Sequence, residues 1–274
     1  MSSSSSLAAD HVALVDAVRE AGAEVMRHYR EQCFDAWTKD DASPITDADL
    51  AANEILHKRL IGIDREHYGW LSEESADDAK RIQADRVWIV DPIDGTRAFI
   101  EKRPEFTVCA ALVIAGEVVI SAIYNPLTDE FFEAIKGSGA RCNGQPLQHS
   151  GCKALEKCNI LGKPPMFGHP GWPRPWPQMA ISYRSSTSYR MALVACGAQD
   201  AALALLPKAD WDVAPGTLLL EEVGAQVSDH HGKSFRFNAP EPWQRALVCA
   251  TPDLYPQLLS RLDHLPADLR ELSL

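Results

Sequence analysis

Residues 7–31 carry apolar side chains at Leu7, Val12, Val15, Val18, Val25 and Met26, close to a 3.6-residue period with few breakers. That spacing predicts an amphipathic helix. A second helical pattern, Leu50, Ile55, Leu56 and Leu60, follows a polar loop with Pro44 and the short extended pair Ile45-Thr46. Asp47 is placed to cap this helix, so Asp47 and Asp49 sit at its N-terminus. Tyr68 to Leu71 reads as a short strand that runs into Ser72-Glu73-Glu74-Ser75. In "RVWIVDPIDGT" a buried apolar strand ends in two aspartates three apart, Asp91 and Asp94, and a Gly-Thr pair follows. From 106 to 142 the pattern turns to β. "FTVCAALVI", "EVVISAIYNP", "DEFFEAI" and "GARCN" are separated by turn signals, as in an antiparallel meander.

The second half alternates differently. Residues 162–178, "GKPPMFGHPGWPRPWPQ", hold six prolines and two tryptophans. This excludes the interior of a regular helix or strand and predicts a surface loop or linker, placed to overhang a site. Trp172 and Trp176 could stack on a base, but packing against the domain is the simpler expectation. "STSYRMALVACG" predicts a helix ending at Gly197, and "AALALL" a strand. "DWDVAPGTLLLEEVG" predicts a helix with aspartates at its start and Gly224 at its end. "AQVSD" and "RALVCA" read as short strands and 252–263 as a closing helix. No repeat of 20–50 residues is seen. The expected organisation is a disordered tail at 1–6, an N-terminal α+β part at 7–150, and a C-terminal α/β part at 151–274.

Composition narrows the function. A chain of 274 residues with 46% hydrophobic and 24% charged side chains is a soluble globular protein with room for a sizeable core. The formal net charge of −11 argues against binding a nucleic-acid polymer. It also disfavours an anionic substrate, unless bound cations supply the positive charge. The seven cysteines form no CxxC pair and are odd in number. They read as reduced thiols in a cytoplasmic protein. No apolar run approaches the roughly 18 residues of a membrane span, and the start lacks the pattern of a signal peptide.

The carboxylates change the picture. Asp91 and Asp94 end one strand, Glu73 and Glu74 end another, and Asp212 begins a helix. Carboxylates at strand ends, with no His or Cys of matching spacing, suit a hard cation with oxygen ligands, Mg²⁺ above all. Two such ions can hold the attacking water and the leaving oxygen of a phosphoryl transfer. Gly95 lets the backbone approach a ligand, and Thr96 opens a short helix whose free N–H groups suit an anion. The strand delivers metal ligands and the turn delivers a phosphate cradle. Taken singly, each carboxylate has a plain reading as a turn, cap or solvated residue.

The motifs "SPITDAD" (43–49), "SEES" (72–75), "WIVDPIDGT" (88–96) and "WDVAPGTLLLEEVGA" (211–225) together resemble the inositol monophosphatase superfamily over about residues 10–260. The resemblance implies a layered αβαβα sandwich and a Mg²⁺-dependent, Li⁺-sensitive phosphomonoesterase, and it implies roles by motif position. Glu73, Asp91 and the carbonyl of Ile93 would hold a first Mg²⁺. Asp91, Asp94 and Asp212 would hold a second. Glu73 would share a third, weaker ion through waters. Thr96 and Asp49 would orient and deprotonate the attacking water, and Glu73 is expected among the catalytic residues. The amides of Gly95 and Thr96 would hold the phosphate, and Lys39 would add positive charge. A small phosphorylated substrate, a homodimer and no membrane partner complete the expectation.

Two departures bear on the substrate. Inositol-type members carry a Glu seven residues before the last metal aspartate; here that position is Leu205. They also tend to carry an Asp where this chain has Arg190, and bisphosphate nucleotidases have a basic residue there. An arginine suits a second phosphate through bidentate hydrogen bonds. The reading is therefore a 3′(2′),5′-bisphosphate nucleotidase that converts adenosine 3′,5′-bisphosphate to AMP. An inositol-1-monophosphatase or broad sugar-phosphate phosphatase is the alternative, with Arg190 as a solvated surface residue. Outside catalysis, the rivals are a metal- or phosphate-sensing interaction protein and an acidic Ca²⁺-binding structural protein, although no EF-hand loop is present.

Overall fold

The computed structural model describes residues 2–32, 34–39, 42–62, 68–266 and 269, without the side chains of 2–6. Cys33, one of the seven thiols, lies outside the described residues. Helix α1 (Ser2–Glu31) is followed by a small antiparallel pair, β1 (Ala36–Thr38) and β2 (Pro44–Thr46), and by α2 (Asp47–Ile61). Then come β3 (Tyr68–Ser72), β4 (Arg86–Asp94), α3 (Thr96–Ile100), β5 (Thr107–Ile114), β6 (Glu117–Asn125), β7 (Glu130–Ile135), β8 (Ala140–Cys142) and β9 (Gln145–Pro146). These seven strands form one sheet in sequence order, antiparallel throughout except for the parallel pair β3–β4. The chain continues through β10 (Asn159–Leu161), α4 (Pro164–Phe167), β11 (Ala180–Ser182), α5 (Thr187–Ala195), β12 (Ala201–Ala204), β13 (Lys208–Ala209) and α6 (Asp210–Glu222). It closes with β14 (Gln226–Ser228), β15 (Trp243–Gln244), β16 (Leu247–Ala250) and α7 (Tyr255–Leu262). A second sheet has the order β11-β10-β12-β16-β14, and β13 pairs with β15.

The layers follow from which faces are apolar. α1 and α2 cover one face of the large sheet, where Trp88, Val90, Val108, Ala110 and Leu112 point. Val87, Ile89, Cys109, Ala111 and Val113 point the other way, onto α5 and α6. Strands β4 and β5 are thus apolar on both faces, which explains their unbroken hydrophobic runs. The far side of α5 and α6 meets the second sheet, and α7 covers that sheet with Leu254, Leu258 and Leu262. The result is a five-layer αβαβα stack.

Several local expectations shift. α1 starts at Ser2, so the serine run expected as a tail is helical. An anchored helix extends cheaply because its nucleus is already formed. Its buried stripe is Leu14, Ala17, Val18, Ala21 and Val25, while Val12 is 59% exposed. Leu50 of α2 likewise faces solvent. The cap of α2 is Thr46 rather than Asp47; Asp47 instead accepts a hydrogen bond from the Asp35 amide at 3.2 Å. Within 162–178 the chain makes one helical turn, α4, with proline in its first turn, where a missing N–H costs nothing. Trp172 and Trp176 pack edge to face, and Trp176 does the same on Phe167, so the tryptophans are core of the second part. Strands β10 and β11 escape the pattern because each is three residues long. Among the described residues no helix is long and apolar enough to cross a membrane, and all six cysteines are free.

The burial predicts a sharp contrast in chemical denaturation. Ile89→Ala should cost about 2–5 kcal/mol through its cavity. Val12→Ala should stay within about 0.5 kcal/mol. Equal losses would contradict the placement of the two residues.

Candidate active site

Residues three apart on a regular strand point to opposite faces. Asp91 and Asp94 do not, because β4 carries a bulge between them. Asp91 pairs with Cys109 and Asp94 with Thr107, so one extra residue is inserted on β4. The proline and isoleucine of "DPID" absorb it. Both carboxylates therefore face α5 and α6, where Asp91, Asp94 and Cys109 bring ligand atoms within 4.8 Å of one another.

The turn after the bulge needs glycine. Gly95 has φ +101°, and a Cβ there would lie 2.7 Å from the Glu105 carbonyl oxygen. Thr96 then opens α3. Its hydroxyl lies 3.0 Å from both Asp49 Oδ1 and the Ile93 carbonyl oxygen, and its one proton can serve only one of them at a time. Asp49, fully buried in the first turn of α2, accepts from Thr46 N at 2.8 Å and from Thr46 Oγ1 at 2.5 Å. Burial pushes its carboxyl up to about 6 against those hydrogen bonds.

Four carboxylates line one cleft, Glu73, Asp91, Asp94 and Asp212, together with Ile93, Gly95 and Thr96. Asp91 is 1% exposed; its Oδ1 accepts from the Ile93 amide at 3.1 Å, and its Oδ2 has no partner. Burial first, and then the charges of Glu73, Asp94 and Asp212, hold its pKa well above the carboxylate range. Burial and Asp212 push Asp94 up to about 6, although Asp94 Oδ2 accepts from Ser186 Oγ at 2.8 Å and from Ser188 N at 2.6 Å, and Oδ1 from Thr187 N at 3.1 Å. Asp94 thus closes the N-terminus of α5. Asp212 lies in the first turn of α6, accepts from Ala209 N at 3.2 Å, and is 3.6 Å from Lys208 Nζ. Two helix N-termini point positive dipole ends at the cluster. Burial, opposed by Lys39 and reinforced by Glu74, pushes Glu73 up to about 7.

An unpaired buried carboxylate oxygen inside a set of mutually repelling acids is what a hard divalent cation satisfies. The oxygen-only donor set of the cleft fits Mg²⁺. Besides Lys208 at Asp212, Lys39 is a cationic neighbour of this cluster, 3.0 Å from Glu73 Oε1 and 2.8 Å from Glu74 Oε1. Burial works against its charge, but the two glutamates prevail and its pKa rises. It is not among the residues that line the cleft. Asp210, by contrast, is structural: its oxygens accept from the Asn238 amide and the Gln244 side chain.

Arg190 is not in the carboxylate cleft, and it is not a solvated surface residue. It is 3% exposed and lines a neighbouring cavity together with Leu205. Tyr183 borders both spaces. Sequence reading missed Tyr183, Ser185 and Arg97 in the cleft wall, the Ser186–Ser188 amides on Asp94, and Cys109 beside the aspartates. Only tertiary packing brings these together. The Cys109 thiol is held well above its ordinary pKa, by burial first and then by Asp91 and Asp94, so it stays protonated.

Comparison with known proteins places this geometry. A family model described as the inositol monophosphatase family matches residues 8–266. An inositol-1-monophosphatase from Rhizobium meliloti is 32% identical over 228 residues, covering 80% of this chain and 85% of that protein. An inositol monophosphatase from Dictyostelium discoideum is 29% identical over 268 residues, covering 92% and 94%. The crystal structure of the extragenic suppressor protein suhB from Bartonella henselae superposes with a TM-score of 0.78 at 30% identity, covering 91% of this chain and 96% of that one.

The raised carboxyls predict a pH-dependent, metal-relieved strain. A carboxyl whose pKa rises on folding binds its proton more tightly in the folded state, so stability falls as pH rises from the unfolded value near 4 through the folded value. For Asp49, Asp94 and Glu73 that window closes at about 6 to 7. Without divalent metal, the melting temperature should therefore fall between pH 5 and pH 8. Mg²⁺ should raise it more at pH 8 than at pH 5. A metal-free melting temperature that rises over this range would contradict the repulsion.

Proposed function

The chain belongs to the inositol monophosphatase family, and from that premise we propose that this metal-dependent phosphomonoesterase is a 3′(2′),5′-bisphosphate nucleotidase that converts adenosine 3′,5′-bisphosphate to AMP. The family is Mg²⁺-dependent, and its members act on small phosphate esters. Glu73, Asp91 and the Ile93 carbonyl would hold one Mg²⁺ and Asp91, Asp94 and Asp212 a second, and Glu73 would share a third, weaker ion. Mg²⁺ held by these oxygens would supply Lewis-acid stabilisation to the phosphate and to the attacking water.

The chain's own groups do the rest. The Thr96 hydroxyl donates to Asp49 Oδ1 and accepts a proton-bearing contact from water, which aims the water's lone pair at phosphorus. Asp49, pushed up to about 6 by burial, lies near the operating range of a general base and takes the proton through Thr96. The amides of Gly95 and Thr96 at the start of α3 cradle the phosphate oxygens. In-line attack releases the alcohol and phosphate without a phosphoenzyme. Lys39 supports Glu73 and tempers the charge of the cluster.

The observation that carries the substrate reading is Arg190, a buried cation with no carboxylate partner among the described residues, in a cavity beside the cleft. A second phosphate is a suitable counter-ion. Leu205 in the same wall cannot accept hydrogen bonds from a polyol. The second reading, an inositol-1-monophosphatase, is favoured by the names of the relatives. A cytoplasmic location is inferred from the free thiols, and a homodimer and Li⁺ sensitivity from the resemblance.

Phosphate release with Mg²⁺, compared between adenosine 3′,5′-bisphosphate and inositol 1-phosphate, with and without Li⁺, tests this directly. The nucleotide should win in kcat/KM by at least about tenfold, which is about 1.4 kcal/mol. A preference for inositol 1-phosphate would overturn the substrate assignment. Asp49→Asn should lower kcat by roughly 10²–10⁴-fold with the fold intact by circular dichroism. Unchanged turnover would remove Asp49 from the proton relay.

A further inference from the structure

Residues 229–245 form a second concave surface, built from the stretch between β14 and β15 and from β15 itself. Burial alternates through 235–237. Phe235 and Phe237 are core residues with ring centres 6.1 Å apart, so Arg236 between them is exposed. Upstream, the Asp229 amide donates to the Lys233 carbonyl at 3.0 Å, and Asp229 Oδ1 accepts from the His231 and Lys233 amides at 2.8 and 2.9 Å. These contacts fix the loop without a ligand. Trp243 of β15 joins it with a side chain 54% exposed. The enclosed volume is about 380 Å³, within the range of small-ligand sites.

Its charge opposes that of the chain. Lys233, Arg236 and Arg245 line it against a single carboxylate, Asp229, where the net charge of the whole is −11. Asp229 is buried and turned into its own loop. Arg236 reaches Glu117 at 2.8 Å, whereas Lys233 and Arg245 have no ion-pair partner among the described residues. A depression lined by one sign of charge focuses the field on a counter-ion. The Trp243 ring adds a flat apolar face. The same wall continues to the candidate active site. Gln244 Nε2 donates to Asp210 Oδ1 at 2.8 Å and to the Arg236 carbonyl at 3.0 Å, and the Asn238 amide donates to Asp210 Oδ2 at 2.9 Å. The Asp210 amide donates to the Pro242 carbonyl at 2.8 Å, and Trp243 stands edge-on to Trp211 with ring centres 6.1 Å apart. Asp210 and Trp211 immediately precede Asp212 at the start of α6.

We propose that this depression is an effector site for a small aromatic anion, whose ring lies on Trp243 and whose negative group pairs with Lys233, Arg236 and Arg245, and that its occupation alters Mg²⁺ binding at Asp212. The effect travels through Trp243–Trp211 and Gln244–Asp210, two contacts that hold the turn carrying Asp212. A ligand that presses on Trp243 or draws Arg236 outward moves that turn. Binding of the two ligands is then linked, each changing the other's affinity by the same factor. The inference rests on Asp212 as a metal ligand and is independent of which phosphate ester the enzyme cleaves.

The test is calorimetry on the full-length, metal-free protein with four probes. 1-Naphthylphosphonate and 1-naphthylacetate carry both ring and anion, 1-naphthylmethanol carries the ring alone, and inorganic phosphate the anion alone. A ring-bearing anion should bind, and the tighter of the two distinguishes a phosphoryl from a carboxylate ligand. Ring alone and anion alone should each bind at least about tenfold more weakly. The double variant Lys233→Ala/Arg245→Ala should weaken the ring-bearing anions at least about tenfold. Both side chains are exposed, so folding is preserved. Trp243→Ala should have a similar effect through the lost ring face. With the anion saturating, the Kd of Mg²⁺ should shift at least about threefold, and the double variant should lose that shift. Absence of binding, binding that the double variant leaves unchanged, or a Mg²⁺ affinity that the anion does not move overturns the effector site. A shift that survives in the double variant arises at the carboxylate cleft and overturns it as well. None of these readings involves hydrolysis, so the site and the nucleotidase reading stand or fall separately.

Discussion

Like charges held together in a dry place are the constraint on which this structure turns. Glu73, Asp91, Asp94 and Asp212 converge where strand, bulge and helix ends meet, and burial with mutual repulsion raises the first three above the carboxylate range. A protein does not assemble such a cluster for stability, since each buried charge costs free energy. The surroundings offset part of that cost. Three hydrogen bonds from the N-terminal turn of α5 fall on Asp94, one from α6's approach falls on Asp212, and Lys39 binds both Glu73 and Glu74. What stays uncompensated, above all Asp91 Oδ2, is the share a divalent cation takes.

The backbone is shaped to the same end. A single-residue bulge turns two aspartates onto one face, and Gly95 then folds the chain back so closely that no side chain fits. Thr96 reaches Asp49 on α2, so groups from the α1–α2 layer and from the α5–α6 layer meet through the edge of the sheet. The cleft lies where the layers join, and the sheet that carries it is packed on both faces. That packing supplies the rigidity that placing reacting atoms to within fractions of an ångström requires.

The neighbouring cavity inverts the electrostatics. One space concentrates negative charge and asks for metal; the other concentrates positive charge on an apolar body and asks for an anion with a hydrophobic part. Tyr183 and the Lys208–Asp212 pair stand between them. On the proposed reading, an elongated ester would place its scissile phosphate over the carboxylates and its leaving group in the apolar space. The acidic surface of the chain does not oppose such a ligand, because the local field near Arg190 is set by near charges and screened from distant ones.

Much of this was legible in the chain. Hydrophobic periodicity marked the long helices and the meander, because amphipathic burial leaves a period that needs no knowledge of partners. "DPIDGT" announced carboxylates and a tight turn, since the φ of Gly95 favours glycine and ionised carboxylates are the charged hard oxygen ligands among the side chains. The three-residue strands β10 and β11 left no period to read, and the solvent-facing Val12 and Leu50 broke the simple rule of apolar inside. Tertiary structure alone decided that Arg190 is buried with no carboxylate partner among the described residues, that Cys109 sits beside the aspartates, and that a proline-rich loop becomes a cavity wall. Each of these depends on which distant segments meet. Local sequence sets backbone and side-chain chemistry, whereas burial, field and cavity shape belong to the assembled layers.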